Sequence, residues 1–216
     1  MEFRWDGDCS LHNFMNAIKC RAQRRILQRN LRFVAIALLA ASSVAAAQQT
    51  TLQLDPAQTT VKFTLGDVLH TVHGTFRLKQ GTLQLDSGAA KLTGEIVVDA
   101  KSGESGSKTR DGKMHREVLE SAQYPDIVFR PDRVEGTVSP KGKSTVMIHG
   151  MFTIHGVDRE IAVPAEADLE EDHWTATLHF TIPYVKWGMK NPSALFLRVD
   201  DSVQIDVVAA GTLTQP

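Results

Sequence analysis

The chain has 216 residues and carries 24 Lys and Arg against 25 Asp and Glu, a formal net charge of −1 at pH 7. Seven of the basic and three of the acidic residues lie in the first 47 positions, so the remaining 169 residues hold 17 basic and 22 acidic side chains, a balance of −5. An acidic remainder argues against a nucleic-acid-binding protein and against a basic surface for membrane lipids, because both depend on clustered positive charge.

Residues 1–47 are typical of an export signal with a long basic leader. Five arginines between positions 21 and 32 precede an apolar stretch at 33–47, and Ala45-Ala46-Ala47 supplies the small residues of a cleavage site. The apolar stretch has 15 residues, fewer than the roughly 20 of a membrane-spanning helix, which would be the alternative interpretation. We therefore predict cleavage after Ala47, periplasmic export and no stable membrane insertion, with Met1 and Met15 both open as the start.

Both cysteines, Cys9 and Cys20, lie in the segment that this cleavage removes. The mature protein is therefore expected to have no disulfide, no thiolate nucleophile and no cysteine-based metal site. Neither cysteine follows the apolar stretch, so the sequence offers no lipoprotein-type attachment point. We expect a soluble product.

Ten short segments of the remaining chain alternate apolar and polar residues, as β-strands do. They occupy residues 50–54, 60–65, 71–78, 81–86, 90–100, 126–131, 144–156, 159–169, 173–187 and 201–213. Their even spacing favours a meander of antiparallel neighbours. Because each segment has one apolar and one polar face, we predict that residues 48–216 form one all-β domain, an antiparallel barrel of about eight strands with a ligand-sized lumen.

Alternation by itself does not say which face of the sheet points inward. An outer-membrane barrel would turn its apolar face to lipid and would carry two girdles of aromatic residues. The mature chain has only Trp174, Trp187, Tyr124 and Tyr184 for such girdles. The inward arrangement is therefore the favoured one.

Residues 108–129 depart from the strand pattern. Met114, Val118 and Leu119 recur at the spacing of a helix face, which predicts one short amphipathic helix that ends before Pro125. Two compatible interpretations follow. The helix plugs one end of the barrel, or its apolar face forms one wall of an apolar channel with Arg110 and His115 near the polar mouth.

Catalytic and metal-binding signatures are weak. The sequence contains no G-x-S-x-G, no H-E-x-x-H and no Gly-rich phosphate loop. The pair His149 and His155 is six residues apart, about 20 Å along a strand, which is too far for one metal ion. We predict no metal site from such pairs, although a composite site stays open. His70 is interpreted as a hydrogen-bonded residue at the barrel rim or as a polar contact for a ligand.

Several ordered motifs resemble the YceI-like family of polyisoprenoid-binding proteins. They are Asp55-Pro56, the stretch from Phe63 to His70, Val72-His73-Gly74-Thr75-Phe76, the helix residues Arg110, Asp111 and His115, then Tyr124-Pro125, Ile127-Val128-Phe129 and the hairpin at 150–159. The chain departs from the family pattern at Val118-Leu119-Glu120, where the family usually has Phe-Phe-Asp, and in the segment 187–199.

This resemblance implies a lipocalin-like barrel that acts as a non-catalytic periplasmic carrier of a long apolar lipid, such as a polyisoprenoid or an isoprenoid quinone, and that can form a homodimer. No cofactor is implied other than a bound isoprenoid lipid or quinone. The expected lumen residues are Phe63, Leu65, Phe76, Met114, Val118, Leu119, Phe129, Phe152, Phe180 and Phe196, and the expected polar-end residues are His70, Arg110 and His115. The alternatives are an enzyme that uses histidines on a lipophilic small molecule, and an interaction or stress-related β-domain whose interior is fully packed and binds nothing.

Overall fold

The computed structural model describes residues 49–66, 70–193 and 198–215, and the predicted signal segment 1–47, with both cysteines, lies outside them. The strands in chain order are β1 (Gln49–Leu54), β2 (Thr60–Gly66), β3 (Thr71–Asp86), β4 (Lys91–Glu104), β5 (Asp126–Glu135), β6 (Gly142–Ile154), β7 (Val157–Leu169), β8 (His173–Ile182) and β9 (Val203–Thr214). Between β4 and β5 the chain forms the short helix α1 (Lys108–Lys113), which continues as one π-helical turn, Met114–Val118.

The strands close into a ring. From β2 to β9 each strand pairs with the next in antiparallel fashion, and β9 returns to pair with β2, where Phe63 lies opposite Ile205. Strand β1 adds no ninth position, because Leu52 pairs with Leu83 of β3 on one side and with Leu213 of β9 on the other. β1 and β2 thus lie end to end between β3 and β9, and together they fill one of the eight places in the ring. The predicted antiparallel barrel of about eight strands with one short helix is confirmed, and closure leaves the ring without a free edge.

Several predicted strand boundaries were wrong. β4 and β5 each continue four residues beyond their predicted ends at 100 and 131, and two other segments differ in their path. The segments 71–78 and 81–86 form the single strand β3, with a register irregularity between Leu78 and Gln80 instead of a turn. Strand β8 ends at Ile182 and not at position 187. Pro183 has no N–H for a strand ladder, and its carbonyl accepts a hydrogen bond from the Trp187 N–H at 3.1 Å, which forms a turn.

The apolar face of the barrel points inward. On β2, Val61 and Phe63 are 8% and 5% exposed, whereas Lys62 between them is exposed. On β8, Trp174 and Ala176 are buried and Thr175 is exposed. Among the residues that the structure describes, no helix combines the length and the apolar character that a membrane crossing requires.

The buried side chains form two clusters, one in each half of the barrel. The lower cluster consists of Leu52, Leu54, Leu78, Leu83, Leu85, Leu92, Val134, Val146, Ala165, Leu169, Trp174, Ala176, Ala209 and Leu213. The upper cluster consists of Phe63, Val118, Leu119, Phe152, Ile154, Ile182, Tyr184, Met189 and Ile205. The helix contributes only to the upper cluster, so it covers that half of the barrel.

A wide bulge in β4 brings the chain over this upper half. Between the pair Thr75 with Glu104 and the pair Arg77 with Asp99, β4 has four residues, 100–103, where β3 has only Phe76. Within the bulge, Gly103 packs directly against the ring of Phe76, and a Cβ at this position would collide with that ring. The bulge therefore needs glycine there, and it delivers the chain to α1 at the open end of the barrel.

Candidate functional site

A cavity of about 540 Å³ lies inside the upper half of the barrel. Each of the eight strands β2 to β9 contributes alternate apolar side chains to its wall, for example Leu65 of β2, Phe129 of β5 and Phe152 of β6. Its volume falls within the range of about 300–1,000 Å³ that is common for small-molecule pockets. The strand alternation seen in the sequence is the direct cause of this apolar wall.

The cavity is long and is closed at its lower end. Its β9 wall extends from Val203 to Ala209, six residues or about 20 Å along a strand. Leu54, Leu78 and Ala209 line its floor and also belong to the lower cluster. Packed side chains therefore stop the cavity from running through the barrel.

Aromatic contacts hold the walls in place. The rings of Phe63 and Phe76 lie 5.3 Å apart between centroids, and Phe152 contacts Phe180 edge to face at 6.5 Å. Trp187, 6.0 Å from Phe152, packs behind this wall. The guanidinium of Arg159 lies 5.4 Å from the Trp187 ring centroid and donates a hydrogen bond to the Trp187 carbonyl at 2.7 Å.

The helical segment and the chain after β8 meet over the upper end. The Lys113 ammonium donates to the Pro192 carbonyl at 2.7 Å, and the Lys190 ammonium pairs with Glu117 at 2.8 Å. The hydrogen bond from Lys190 is the main cause that lowers the pKa of the Glu117 carboxyl. Two direct contacts thus join α1 and its π turn to the segment that carries Pro192.

Tyr184 anchors the same segment from inside. Its side chain is 5% exposed and lines the cavity, and its hydroxyl donates to the Asp200 carbonyl at 2.7 Å. Burial, with a smaller effect from the Asp201 and Asp200 carboxylates, raises the pKa of Tyr184 to about 12. The phenol therefore keeps its proton throughout the physiological pH range.

Nine of the ten residues predicted to line the lumen do line this cavity. They are Phe63, Leu65, Phe76, Met114, Val118, Leu119, Phe129, Phe152 and Phe180. Phe196 lies outside the described residues. Contact of these side chains with a ligand stays a prediction.

The three residues predicted for the polar end are separated in the structure. Only Arg110 lines the cavity, where Nε donates to the Ser105 hydroxyl and Nη2 to the Ser105 carbonyl, both at 2.7 Å. His70 is exposed and does not belong to the cavity wall. His115 is also outside the wall, because its Nε2 donates to the Gly103 carbonyl at 2.8 Å and its Nδ1 lies 3.0 Å from the Ser121 hydroxyl. The ring of His115 thus ties the helical segment to the β4 bulge.

Four polar residues at the mouth of the cavity were not singled out from the sequence. Ser105 and Ser107 come from the connection between β4 and α1, whereas Thr109 and Lys113 belong to α1 itself. The sequence offered a weak signal only for Lys113, which lies on the charged side of the predicted helix. Among the described residues, no group of three or more His, Cys, Asp or Glu side chains is placed to hold a metal ion.

The sequence model of the YceI-like domain family matches residues 52–210 of this chain. The chain belongs to the YceI-like family. Among curated relatives it is similar to a UPF0312 protein of Pseudomonas savastanoi pv. phaseolicola and to one of Pseudomonas syringae pv. syringae, each 25% identical over 150 residues that cover 63% of this chain and 73% of the relative.

The solved structures that resemble this YceI-like chain share its fold. BcnA of Burkholderia cenocepacia superposes with a TM-score of 0.60 at 18% identity, covering 74% of this chain and 99% of that structure. A polyisoprenoid binding domain from Saccharophagus degradans, implicated in plant cell wall breakdown, gives 0.57 at 16% identity with coverages of 76% and 98%. The YCEI protein of Campylobacter jejuni gives 0.51 at 16% identity with coverages of 67% and 86%.

Proposed function

We propose that the protein is a non-catalytic binding and carrier protein for a long apolar lipid, such as a polyisoprenoid or an isoprenoid quinone. The observation that carries this proposal is the cavity of about 540 Å³ inside the upper cluster. Burial of an apolar tail gains about 25 cal/mol per Å² removed from water, so tight binding needs few polar contacts. The polyisoprenoid binding domain from Saccharophagus degradans, which shares the fold, supports this class of ligand.

The predicted signal segment supports a location in the periplasm. A long apolar lipid has very low solubility in an aqueous compartment, because its tail orders or displaces water over its whole length. A closed barrel that encloses the tail removes this surface from water. The proposed role is to carry the lipid through the periplasm, between two membranes or between two enzymes.

The two alternatives make different demands on the interior. A fully packed β-domain would leave no room for a tail, whereas the upper half of this barrel contains the cavity described above. An enzyme would need groups that exchange protons near neutral pH, whereas burial raises the pKa of the Tyr184 phenol, which faces the cavity, to about 12. The hydroxyl, ammonium and guanidinium groups at the mouth are suited to hold a ligand.

The test is native mass spectrometry of the mature protein purified from its own host, followed by organic extraction. We expect an added mass that collisional activation removes and an isoprenoid lipid in the extract. Purified lipid is then incubated with the protein and recovered, and a carrier returns it with its mass unchanged. A bare protein that also fails to bind added geranylgeraniol would refute the proposal, and a chemically altered lipid would favour the enzyme.

A further inference from the structure

The polar side chains of the cavity are concentrated at its mouth. Five of them come from the nine consecutive residues 105–113, which follow β4 and include α1, and they are Ser105, Ser107, Thr109, Arg110 and Lys113. The threonine at the opposite end, Thr59, is already engaged with the backbone of Ala210, at 3.4 Å to its carbonyl and 3.3 Å from its N–H. A ligand that fills the cavity therefore meets one polar end and an otherwise apolar wall.

The mouth has a definite charge. Two of the five polar residues, Arg110 and Lys113, are cationic, and among the described lining residues none is Asp or Glu. The nearest acid in sequence, Asp111, is turned to the backbone N–H of Ser105 at 2.9 Å. Glu117, one turn further along, is paired with Lys190. The acids on this segment are thus occupied outside the cavity, while the two cations border it.

Both cations have donors left for a ligand. Lys113 is half-buried and uses one of its three ammonium protons on the neutral carbonyl of Pro192. Arg110 uses two of its five N–H donors on Ser105. Neither has a direct ion pair with a carboxylate in the described part of the chain. A positive charge beside an apolar cavity gains most from an anionic partner that completes its hydrogen bonds.

We infer that the lipid carried by this protein has an anionic, oxygen-rich head group, a phosphate or a carboxylate, which Lys113 and Arg110 bind at the mouth while the tail fills the cavity. This inference rests on the proposed function. The hydroxyls of Ser107 and Thr109 supply further donors to the head-group oxygens, whereas the Ser105 hydroxyl donates to Asp111. A neutral isoprenoid alcohol fills the same cavity but gives the two cations no direct ionic partner.

The test compares dissociation constants for ligands with the same tail and different heads. Geranylgeranyl phosphate is compared with geranylgeraniol, and palmitate with hexadecanol, all below their aggregation concentrations and at low ionic strength. We expect the anionic member of at least one pair to bind roughly tenfold or more tightly, which is the range of one charge-assisted hydrogen bond. This ratio should shrink as salt is added, because the mouth is partly open to solvent.

Variants assign the preference to the mouth. Lys113→Met keeps the apolar stem and removes the charge, so it should lower the ratio of anionic to neutral affinity by about tenfold, and Lys113→Arg should restore most of it. Lys62→Met removes one positive charge from the outer face of β2 and is the matched control. Its ratio should equal that of the wild type.

The outcomes separate this inference from the proposed function. Equal affinity for the anionic and neutral members of both pairs would refute the anionic head group and leave the carrier function intact. If Lys62→Met lowers the ratio of anionic to neutral affinity as much as Lys113→Met does, the anionic head-group site is also refuted. The preference for anionic lipids would then come from the net charge of the protein and not from the cations at the mouth. Binding of inorganic phosphate as tightly as geranylgeranyl phosphate would show a site for free anions, and no binding of any of the lipids would refute both proposals.

Discussion

Ala209 lies at the floor of the cavity and offers the sharpest test of its shape. The side chain is 4% exposed, lines the cavity and also touches the lower cluster. Replacement by leucine adds three carbons that would extend into the space where the end of a lipid tail is expected. Ala165 is the matched position, because it is 2% exposed in the lower cluster and does not line the cavity.

The two substitutions should change stability in opposite directions. In the lipid-free protein, three additional buried carbons at Ala209 should raise the free energy of unfolding by about 2.4 kcal/mol, at about 0.8 kcal/mol each. Because they occupy the volume of a similar part of the tail, they should weaken the binding of a long lipid by the same amount, about 50-fold. Ala165→Leu should instead overpack a filled region and lower the free energy of unfolding by about 1–3 kcal/mol.

The measurements are chemical denaturation of delipidated protein and titration with geranylgeraniol. A chain-length series adds a second readout, because affinity for the wild type should rise by about 0.8 kcal/mol per methylene until the cavity is full, and Ala209→Leu should reach its plateau at a shorter tail. If Ala209→Leu destabilises the protein as much as Ala165→Leu and leaves the affinity unchanged, the cavity does not reach β9 at this depth, and the reasoning fails.

Three further predictions follow from individual contacts. Phe152→Asp should abolish lipid retention in native mass spectrometry while Lys62→Ala retains it, because an unpaired carboxylate in an apolar wall is strongly unfavourable, and equal retention would contradict the wall assignment. The raised pKa of Tyr184, about 12 against an ordinary value of about 10, means that its contribution to stability is complete below pH about 10 and is lost as the pH rises toward 12. Denaturation curves across this window should fall less steeply for Tyr184→Phe, and parallel curves would show that the phenol is not responsible. Gly103→Ala should lower the free energy of unfolding by about 1–3 kcal/mol because its Cβ meets the ring behind it, whereas Gly88→Ala, where the nearest atom is 3.5 Å away, should have little effect; a common melting temperature for both would contradict the close packing of the bulge.

Most of the candidate wall could be predicted from the sequence because strand parity is a local property. Phe63 and Phe152 belong to the apolar set of their strands, and a side chain in a strand alternates between faces whatever its partners are. The helix face of Met114, Val118 and Leu119 was recognisable from its spacing for the same reason. Once the ring closes with its apolar face inward, as it does here, these sets face the same interior.

The polar residues were harder to predict because their positions depend on contacts between distant segments. His115 is close in sequence to residues of the cavity, yet the carbonyl of Gly103 in the β4 bulge turns its ring away. Lys113 borders the cavity because the helix is tied to the segment that follows β8, through the carbonyl of Pro192. Nothing in the local pattern around either residue indicates these partners.

The amino-acid sequence by itself determined that the strands each have one apolar and one polar face, since periodicity assigns every side chain of a strand to one face. The closed ring seen in the structure turns the apolar face inward. The tertiary structure decided how much of that interior is filled. The lower half is packed with side chains, whereas the upper half holds a cavity that the helical segment covers with Met114, Val118 and Leu119. The volume of the cavity is the volume that the closed ring encloses minus the volume of the side chains inside it. The enclosed volume depends on strand pairings between residues far apart in the chain, which the local sequence pattern does not specify.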